Sequence, residues 1–155
     1  QAALTGHLMF STLHTNRAPS ALTRLVDMGI EKFLLSSSLL AVIAQRLIRQ
    51  LCQECKEKDF QREQSLSDFG ISEGVVLYKP KGCKYCDSTG YKGRIAINEY
   101  LGCDDEIKQI PKNDQFISKA QKYNDSLGRR NLLQDGFYKV LLGVTSIEEV
   151  LRVAG

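Results

Sequence analysis

The stretch GHLMFSTLHTNRAPSALTRLVDMG, residues 6–29, determines the predicted fold of this chain. Its first part, residues 7–13, is a nearly continuous apolar run, which is typical of a central β-strand covered on both faces. The second part predicts an α-helix that begins near Pro19 and stops at Gly29. The apolar side chains on one face of this helix are Leu22, Leu25 and Val26. A strand followed directly by such a helix favours an α/β fold over a helical bundle.

The rest of the chain changes character twice. Residues 31–51 keep a 3.6-residue apolar period and predict one long helix. Residues 52–90 are polar, cysteine-bearing and irregular, apart from a short strand candidate at 75–78. A strand is predicted at 93–101, and helices are predicted over 104–110, 113–123, 129–142 and 145–153. The last helix is expected to open with a capping box formed by Thr145 and Glu148.

The composition is typical of a soluble globular protein, since 43% of the 155 residues are hydrophobic and 25% are charged. The net charge of +3 suits an acidic partner such as a nucleotide phosphate and does not require nucleic acid. No apolar run in these residues approaches the ~18 residues of a membrane span, and their sequence predicts no signal peptide. The opening QAALTG is typical of the last turn of a helix ending at Gly6, so we expect a piece of a larger protein.

Four cysteines form two C-x-x-C pairs, Cys52 with Cys55 and Cys83 with Cys86. Two such pairs supply four thiolates for a tetrahedral zinc ion and leave no open position for a substrate. The sequence therefore predicts a structural zinc site whose loss unfolds residues 52–90. Two buried dithiols, a pair of disulfides or a rubredoxin-type iron site are the alternatives. No function is predicted for the fifth cysteine, Cys103.

The chain has two histidines, His7 and His14, which flank the predicted strand. In an extended strand they would lie on the order of 20 Å apart and on opposite faces, which opposes a shared metal ion. Ligands of open α/β sheets bind beyond the carboxyl ends of the strands, where His14 is followed by Thr15 and Asn16. His14 is therefore the first candidate for a functional residue, whereas His7 suits a hydrogen-bonded structural role.

Several motifs, in this order, resemble one known family. They are TGHLMFSTLHTN, TRLVDMGIEKFLLSSSLL, AQRLIRQLC, the paired C-x-x-C, GCKYCDSTGYKGRIAINE and DGFYKVLLGVTSIEEVLRV. Together they closely resemble the carboxyl-terminal part of the type II secretion and type IV pilus assembly ATPases. The resemblance covers nearly the whole chain, and only residues 57–79 and 111–127 are individual.

The resemblance implies an α/β fold, namely the carboxyl-terminal part of a RecA-like ATPase domain with a tetracysteine zinc-binding insert and a helical tail. It divides the chain into the end of the ATPase core at 1–51, the zinc-binding subdomain at 52–92, and a strand with a helical subdomain at 93–155. Members of this family form hexamers at the cytoplasmic face of the bacterial inner membrane. They couple ATP hydrolysis to pseudopilin or pilin assembly and protein export. Pilus retraction ATPases usually lack the zinc insert, which favours the assembly and secretion branch.

The resemblance identifies TGHLMFSTLHTN as the family's histidine box, which lies near the nucleotide. It implies catalytic roles for His14 first and His7 second, places His14 and Thr15 near ATP and Mg²⁺, and assigns zinc to the four paired cysteines. His14 would sense the γ-phosphate or position water. The P-loop motif G-x-x-x-x-G-K-[ST] is absent from these residues, and the Walker B and Asp-box motifs would lie upstream. This chain alone is therefore expected not to hydrolyse ATP.

The implied partners are other copies of the protein, the upstream half of the same ATPase and inner-membrane platform components, with no nucleic acid expected. Four arginines are interpreted as solvated, although they could reach a phosphate or a neighbouring subunit: Arg17, Arg24, Arg46 and Arg49. Two other hypotheses stay open. One is a zinc-ribbon module that binds nucleic acid through the lysines near the cysteines, and the other is a structural assembly domain.

Overall fold

The structure, a computed structural model, describes residues 2–60 and 75–155. Within these ranges the elements are α1 (Ala18–Asp27), α2 (Lys32–Ser38), β1 (Ala41–Leu51), β2 (Glu57–Lys58), β3 (Tyr78–Lys79), β4 (Tyr91–Gly102), α3 (Asp105–Gln109), α4 (Phe116–Ser126), α5 (Leu132–Leu141) and α6 (Ile147–Ala154). The predicted mixture of helices and strands is thereby confirmed. No helix in the described ranges is long and apolar enough to cross a membrane.

The two long strands, β1 and β4, pair with each other, and the short strands β2 and β3 form a second, antiparallel pair. The amide of Cys103 donates to the Leu40 carbonyl at one end of the long pair, at 2.9 Å. At the other end the amide of Cys52 donates to the Gly90 carbonyl, also at 2.9 Å. The start of one strand therefore lies beside the end of the other, so the long pair is antiparallel too.

The chain forms two compact units. Unit 1 comprises Gln1–Ala44 and Asn98–Asn131, and unit 2 comprises Gln45–Ile97 and Leu132–Gly155. In unit 1, α1 packs against α4, and the buried side chains include Leu22, Leu35, Leu101, Ile107 and Phe116. In unit 2, α5 packs against α6, and the buried side chains include Ile48, Leu77, Ile97, Val140 and Val150. The three-part division inferred from the family resemblance stays a prediction.

The predicted long helix over 31–51 is wrong. The helix α2 ends at Ser38, and the strand β1 then occupies Ala41–Leu51. Along β1 the side chains alternate, with Ala44 and Ile48 buried and Ile43 and Leu47 exposed by 66% and 54%. Pairing with β4 determines this outcome, because a strand is stabilised by a neighbour that is distant in sequence.

The predicted strand over 7–13 is also wrong. Residues 7–15 have no regular secondary structure, and Leu8, Met9 and Phe10 are 69%, 59% and 88% exposed. A strand needs a neighbouring segment to take its backbone hydrogen bonds. Within residues 2–60 and 75–155 the paired strands are β1 with β4 and β2 with β3, so the apolar run has no such neighbour there.

Helices predicted from local signals are confirmed with small shifts. Pro19 lies in the first turn of α1, and Asp104 caps α3 by accepting from the Ile107 amide at 3.1 Å. The predicted helices over 113–123, 129–142 and 145–153 correspond to α4, α5 and α6. The predicted capping box at Thr145 is one residue early, because Ser146 is the cap and accepts from the Glu149 amide. The strand candidate at 75–78 is mostly wrong, because the strand found there, β3 at Tyr78–Lys79, shares only Tyr78 with it.

The packing of α5 on α6 depends on a glycine in the middle of α5. A methyl group on Gly136 would lie 2.5 Å from Val150 Cγ1, so the two helices approach too closely for any side chain there. We expect Gly136→Ala to lower the free energy of unfolding by about 1–3 kcal/mol, although alanine is the better helix former. Urea unfolding measures this change. Adding Val150→Ala should recover part of the loss, and equal stability of Gly136→Ala and the parent protein would contradict the packing argument.

Candidate functional site

The four paired cysteines lie on two tight turns of unit 2. Cys52 directly follows β1, whereas Cys83 caps the short 3-10 turn Lys84–Cys86 that precedes β4, and Cys86 is the last residue of that turn. The hydrogen bond from the Cys52 amide to the Gly90 carbonyl, at 2.9 Å, links the start of the first turn to the end of the second. The pairing of β2 with β3 links the two segments again. Backbone pairing therefore brings together two C-x-x-C turns that are far apart in sequence.

The four sulfur atoms form a compact cluster, with all of them within 4.8 Å of one another. The Sγ–Sγ distances are 3.9 Å for Cys52 with Cys83, 3.8 Å for Cys55 with Cys86 and 3.7 Å for Cys83 with Cys86. Ligands of a tetrahedral centre with metal–sulfur bonds of ~2.3 Å lie about 3.8 Å apart. All four thiols are free, so the donor set and its spacing fit a metal ion held by four thiolates.

Backbone amides around the cluster point at the sulfurs. The Gly82 amide donates to Cys55 Sγ at 3.3 Å, and the amides of Cys83 and Gly90 donate to Cys86 Sγ at 3.2 Å. Although burial raises the pKa of the Cys86 thiol, the two amides and the neighbouring thiols outweigh burial and lower it to about 6. At Cys55, where burial dominates, the pKa is raised to about 12. Amide donors stabilise negative sulfur, as a bound metal requires.

Two glycines make these turns possible. Gly82 and Gly90 have φ values of +101° and +76°, which side chains rarely tolerate. A Cβ at Gly82 would lie 2.6 Å from the Ser88 carbonyl oxygen, and one at Gly90 would overlap the ring of Pro80. The glycine-rich sequence around the second cysteine pair is therefore a requirement of close backbone packing.

Several lysines beside the cluster are engaged within the protein. Lys56 Nζ donates to the Gly143 carbonyl at 2.9 Å and lies 4.6 Å from the centre of the Tyr78 ring. Glu57 forms ion pairs with Lys79 and Lys81, at 3.6 Å and 3.3 Å. These contacts occupy part of the basic surface on which the nucleic-acid hypothesis depends.

The histidine segment belongs to unit 1, whereas the cysteines belong to unit 2. His7 and His14 are both exposed, and His7 Nδ1 lies 3.0 Å from the Thr5 hydroxyl. The Thr15 hydroxyl donates to the Arg17 carbonyl at 3.3 Å, in the turn that leads into α1. The catalytic roles of His14 and His7 and the nucleotide contact of Thr15 stay predictions.

Two buried carboxylates were not predicted from the sequence. Glu149 on α6 is 1% exposed and accepts from the guanidinium groups of Arg49 and Arg152. Arg49 also lies over the ring of Tyr91, 4.1 Å from its centre, so this arginine is held by the fold. Glu99 on β4 is equally buried. For Glu99 a signal existed, because an acid lies between Ile97 and Leu101 at an inward strand position.

Comparisons with known proteins find close relatives over the whole chain. A family model described as type II/IV secretion system protein matches residues 1–152. The type IV pilus assembly ATPase TfpB of Acinetobacter baylyi is 48% identical over 99% of the chain. The type II secretion system protein E of Pectobacterium carotovorum is also 48% identical over 99% of the chain, and the type II secretion system ATPase E of Vibrio cholerae is 47% identical over 99%. The chain spans 27%, 30% and 31% of the lengths of these three relatives.

Proposed function

Because the chain belongs to the type II/IV secretion system protein family, we propose that it is the carboxyl-terminal part of an ATPase that drives secretion or pilus assembly. The family match over residues 1–152 carries this proposal. Relatives named as ATPases of both kinds of machine, at 47–48% identity, support it. The intact protein would have a RecA-like core, assemble into a hexamer and couple ATP hydrolysis to pseudopilin or pilin assembly and protein export.

In this proposal the two units contribute differently. In unit 1 the histidine segment would contact the nucleotide, with His14 sensing the γ-phosphate or positioning the attacking water, Thr15 beside it and His7 in a lesser role. Phosphoryl transfer depends on positioning and charge stabilisation, which the P-loop and Mg²⁺ ligands of the upstream half would supply. The 155 residues alone would therefore not hydrolyse ATP, since no P-loop motif occurs among them.

In unit 2 the cysteine cluster would hold Zn²⁺ through Cys52, Cys55, Cys83 and Cys86. Four protein thiolates complete the coordination shell, so the ion would stabilise the fold and would not bind substrate. The 3.7–3.9 Å sulfur spacing and the amide donors to Cys55 and Cys86 support zinc at this place. The partners would be other copies of the protein, the upstream half and platform components at the cytoplasmic face of the inner membrane.

The proposed function predicts a defined kinetic change in the full-length protein. His14→Ala should lower the rate of ATP hydrolysis by at least about tenfold, because a group that positions water or senses phosphate acts on the chemical step. Steady-state phosphate release measures this rate. The fold should be unchanged, since the His14 side chain is exposed.

Two controls complete this test. The 155-residue chain should release no phosphate above background. His7→Ala in the full-length protein should have the smaller effect of the two histidine variants. Absence of ATP hydrolysis by the full-length parent protein would overturn the proposed function, and unchanged turnover in His14→Ala would overturn the role of His14.

A further inference from the structure

Glu99 occupies a place in unit 1 where an apolar side chain would be expected. It lies on the inward face of β4 between Ile97 and Leu101, both of which are fully buried, and is itself 1% exposed. Buried carboxylates are rare unless their oxygens are paired, because removing charge from water is costly. Packing alone would favour leucine or methionine at this position.

One carboxylate oxygen of Glu99 accepts a hydrogen bond from the start of α1. The buried Ala18 amide, the first of that helix, donates to Glu99 Oε2 at 2.8 Å. Arg17 precedes it as the N-cap residue, and its side chain makes no capping hydrogen bond. Glu99 therefore serves as the cap of α1 from a strand about 80 residues away in sequence, where a negative charge also favours the helix dipole.

The second oxygen of Glu99, Oε1, is buried and has no hydrogen-bond partner among the residues that the structure describes. Burial raises the pKa of Glu99, as does the charge of Asp125, while the Ala18 amide and the Arg17 guanidinium lower it. The Ala18 amide and the Arg17 charge therefore offset only part of the cost of burying the Glu99 carboxylate. Proteins keep such incompletely satisfied polar groups chiefly where function requires them.

Ala18, whose amide donates to Glu99, lies four positions after His14. The turn between them, residues 14–17, includes the Thr15 hydroxyl bond to the Arg17 carbonyl. We propose that Glu99 is a positioning residue for the nucleotide site, fixing the first turn of α1 so that the turn at residues 14–17 presents His14 to the γ-phosphate. This inference rests on the proposed function. Misplacement of a catalytic group by about 1 Å lowers turnover strongly. Loss of the hydrogen bond between Glu99 and Ala18 should therefore lower turnover measurably.

The test uses the full-length protein with Glu99→Leu and Glu99→Gln. Glu99→Leu suits its apolar neighbours but leaves the buried Ala18 amide unpaired, so the variant should stay folded with an unfolding temperature a few degrees below that of the parent protein. Its kcat for ATP hydrolysis should fall by about tenfold, with KM changed by less than about twofold. Glu99→Gln keeps an acceptor for the Ala18 amide and should retain about half of the parent kcat or more. A role in stability alone cannot lower the kcat of a variant that is fully folded at the assay temperature.

A double variant tests the route through His14. In the His14→Ala background, Glu99→Leu should lower kcat no further, because the two residues act as a unit. Wild-type kcat in folded Glu99→Leu, or a full additional loss in the double variant, would overturn this inference while leaving the proposed function intact. Glu99→Met, which matches glutamate in length, replaces Glu99→Leu if the latter does not fold. A full-length protein without ATP hydrolysis would overturn the proposed function and this inference together.

Discussion

Removing the metal from the proposed zinc site is expected to unfold the cysteine-bearing segments of unit 2 while the helices of unit 1 persist. Without a cation the four sulfurs, all within 4.8 Å of one another, lose the bonds that join the two turns, and outside the cluster only Asp59 and Leu77 are buried side chains in the described parts of these segments. Structural zinc contributes an apparent binding free energy of roughly 10–16 kcal/mol in zinc-finger peptides. A loss of that order exceeds the stability of most domains, so residues 52–60 and 75–90 should lose protection from hydrogen exchange.

Both chelation and Cys86→Ser test this expectation. Metal analysis of the reduced parent protein should give about one zinc ion per chain, and added zinc should restore exchange protection after chelation. Cys103→Ser is the matched control, because Cys103 is a buried free cysteine of unit 1 outside the cluster. It should leave the zinc content unchanged. Protein purified without any bound metal, with these segments nevertheless protected, would contradict the proposed site.

The elements that sequence analysis located correctly are those determined by local chemistry. The helix α3 begins where Asp104 can cap it, and α1 begins where Pro19 fits the first turn. The cysteine cluster was predictable for the same reason, since each C-x-x-C turn places two ligands by itself. Only the meeting of the two turns required tertiary structure, and their spacing in the sequence was sufficient to predict it.

The errors concern segments whose structure depends on distant partners. In β1 the buried residues Ala44, Ile48 and Leu51 are four and three positions apart, which imitates a helical period. Its β-branched residues were the better signal, although only pairing with β4 determines the strand. The apolar run at 7–13 shows the converse case, because strand propensity without a partner leaves the segment irregular and exposed.

The partners of the buried carboxylates could not be predicted for a related reason. Glu149 meets Arg49 across 100 positions of sequence, and Glu99 meets the Ala18 amide across 81. A single sequence shows acids and bases but does not show which of them will be brought together and buried. Arg49 illustrates the consequence. The sequence predicts a solvated side chain, but in the structure Arg49 pairs with Glu149 and lies over the Tyr91 ring.

Replacing Glu149 by glutamine is expected to destabilise unit 2 by about 2 kcal/mol, because it removes a buried carboxylate that two partly exposed arginines and a backbone amide share. The carboxylate accepts from Arg49 Nε and Arg152 Nε at 2.9 Å and from the Arg49 amide, also at 2.9 Å. It joins Arg49, in the part of β1 that belongs to unit 2, to α6 of the same unit. Glutamine keeps a single acceptor oxygen and turns an amide donor toward the arginines, so the positive groups lose their counter-charge.

The ion pairs of Glu149 with Arg49 and Arg152 predict how the free energy of unfolding depends on pH. Burial alone would raise the pKa of Glu149, but Arg152, the Arg49 guanidinium and the Arg49 amide outweigh it and lower the pKa from 4.5 to about 2. Since the folded pKa lies below the unfolded value, the contribution is complete above about pH 4.5 and disappears as pH falls toward 2. We expect about 2–3 kcal/mol of stability to be lost over this range, less than the full shift implies because both arginines are partly exposed.

Urea unfolding of the parent protein and Glu149→Gln between pH 7 and pH 2.5 measures both effects. The difference in free energy of unfolding should be largest near neutral pH and should shrink as the pH falls below 4.5, because protonation makes the parent resemble the variant. Glu148→Gln is the matched control, since Glu148 is an exposed acid in the same first turn of α6. It should change stability by less than about 0.5 kcal/mol. A Glu149→Gln difference that stays constant with pH would contradict the lowered pKa, and equal stability at neutral pH would contradict the role of the cluster.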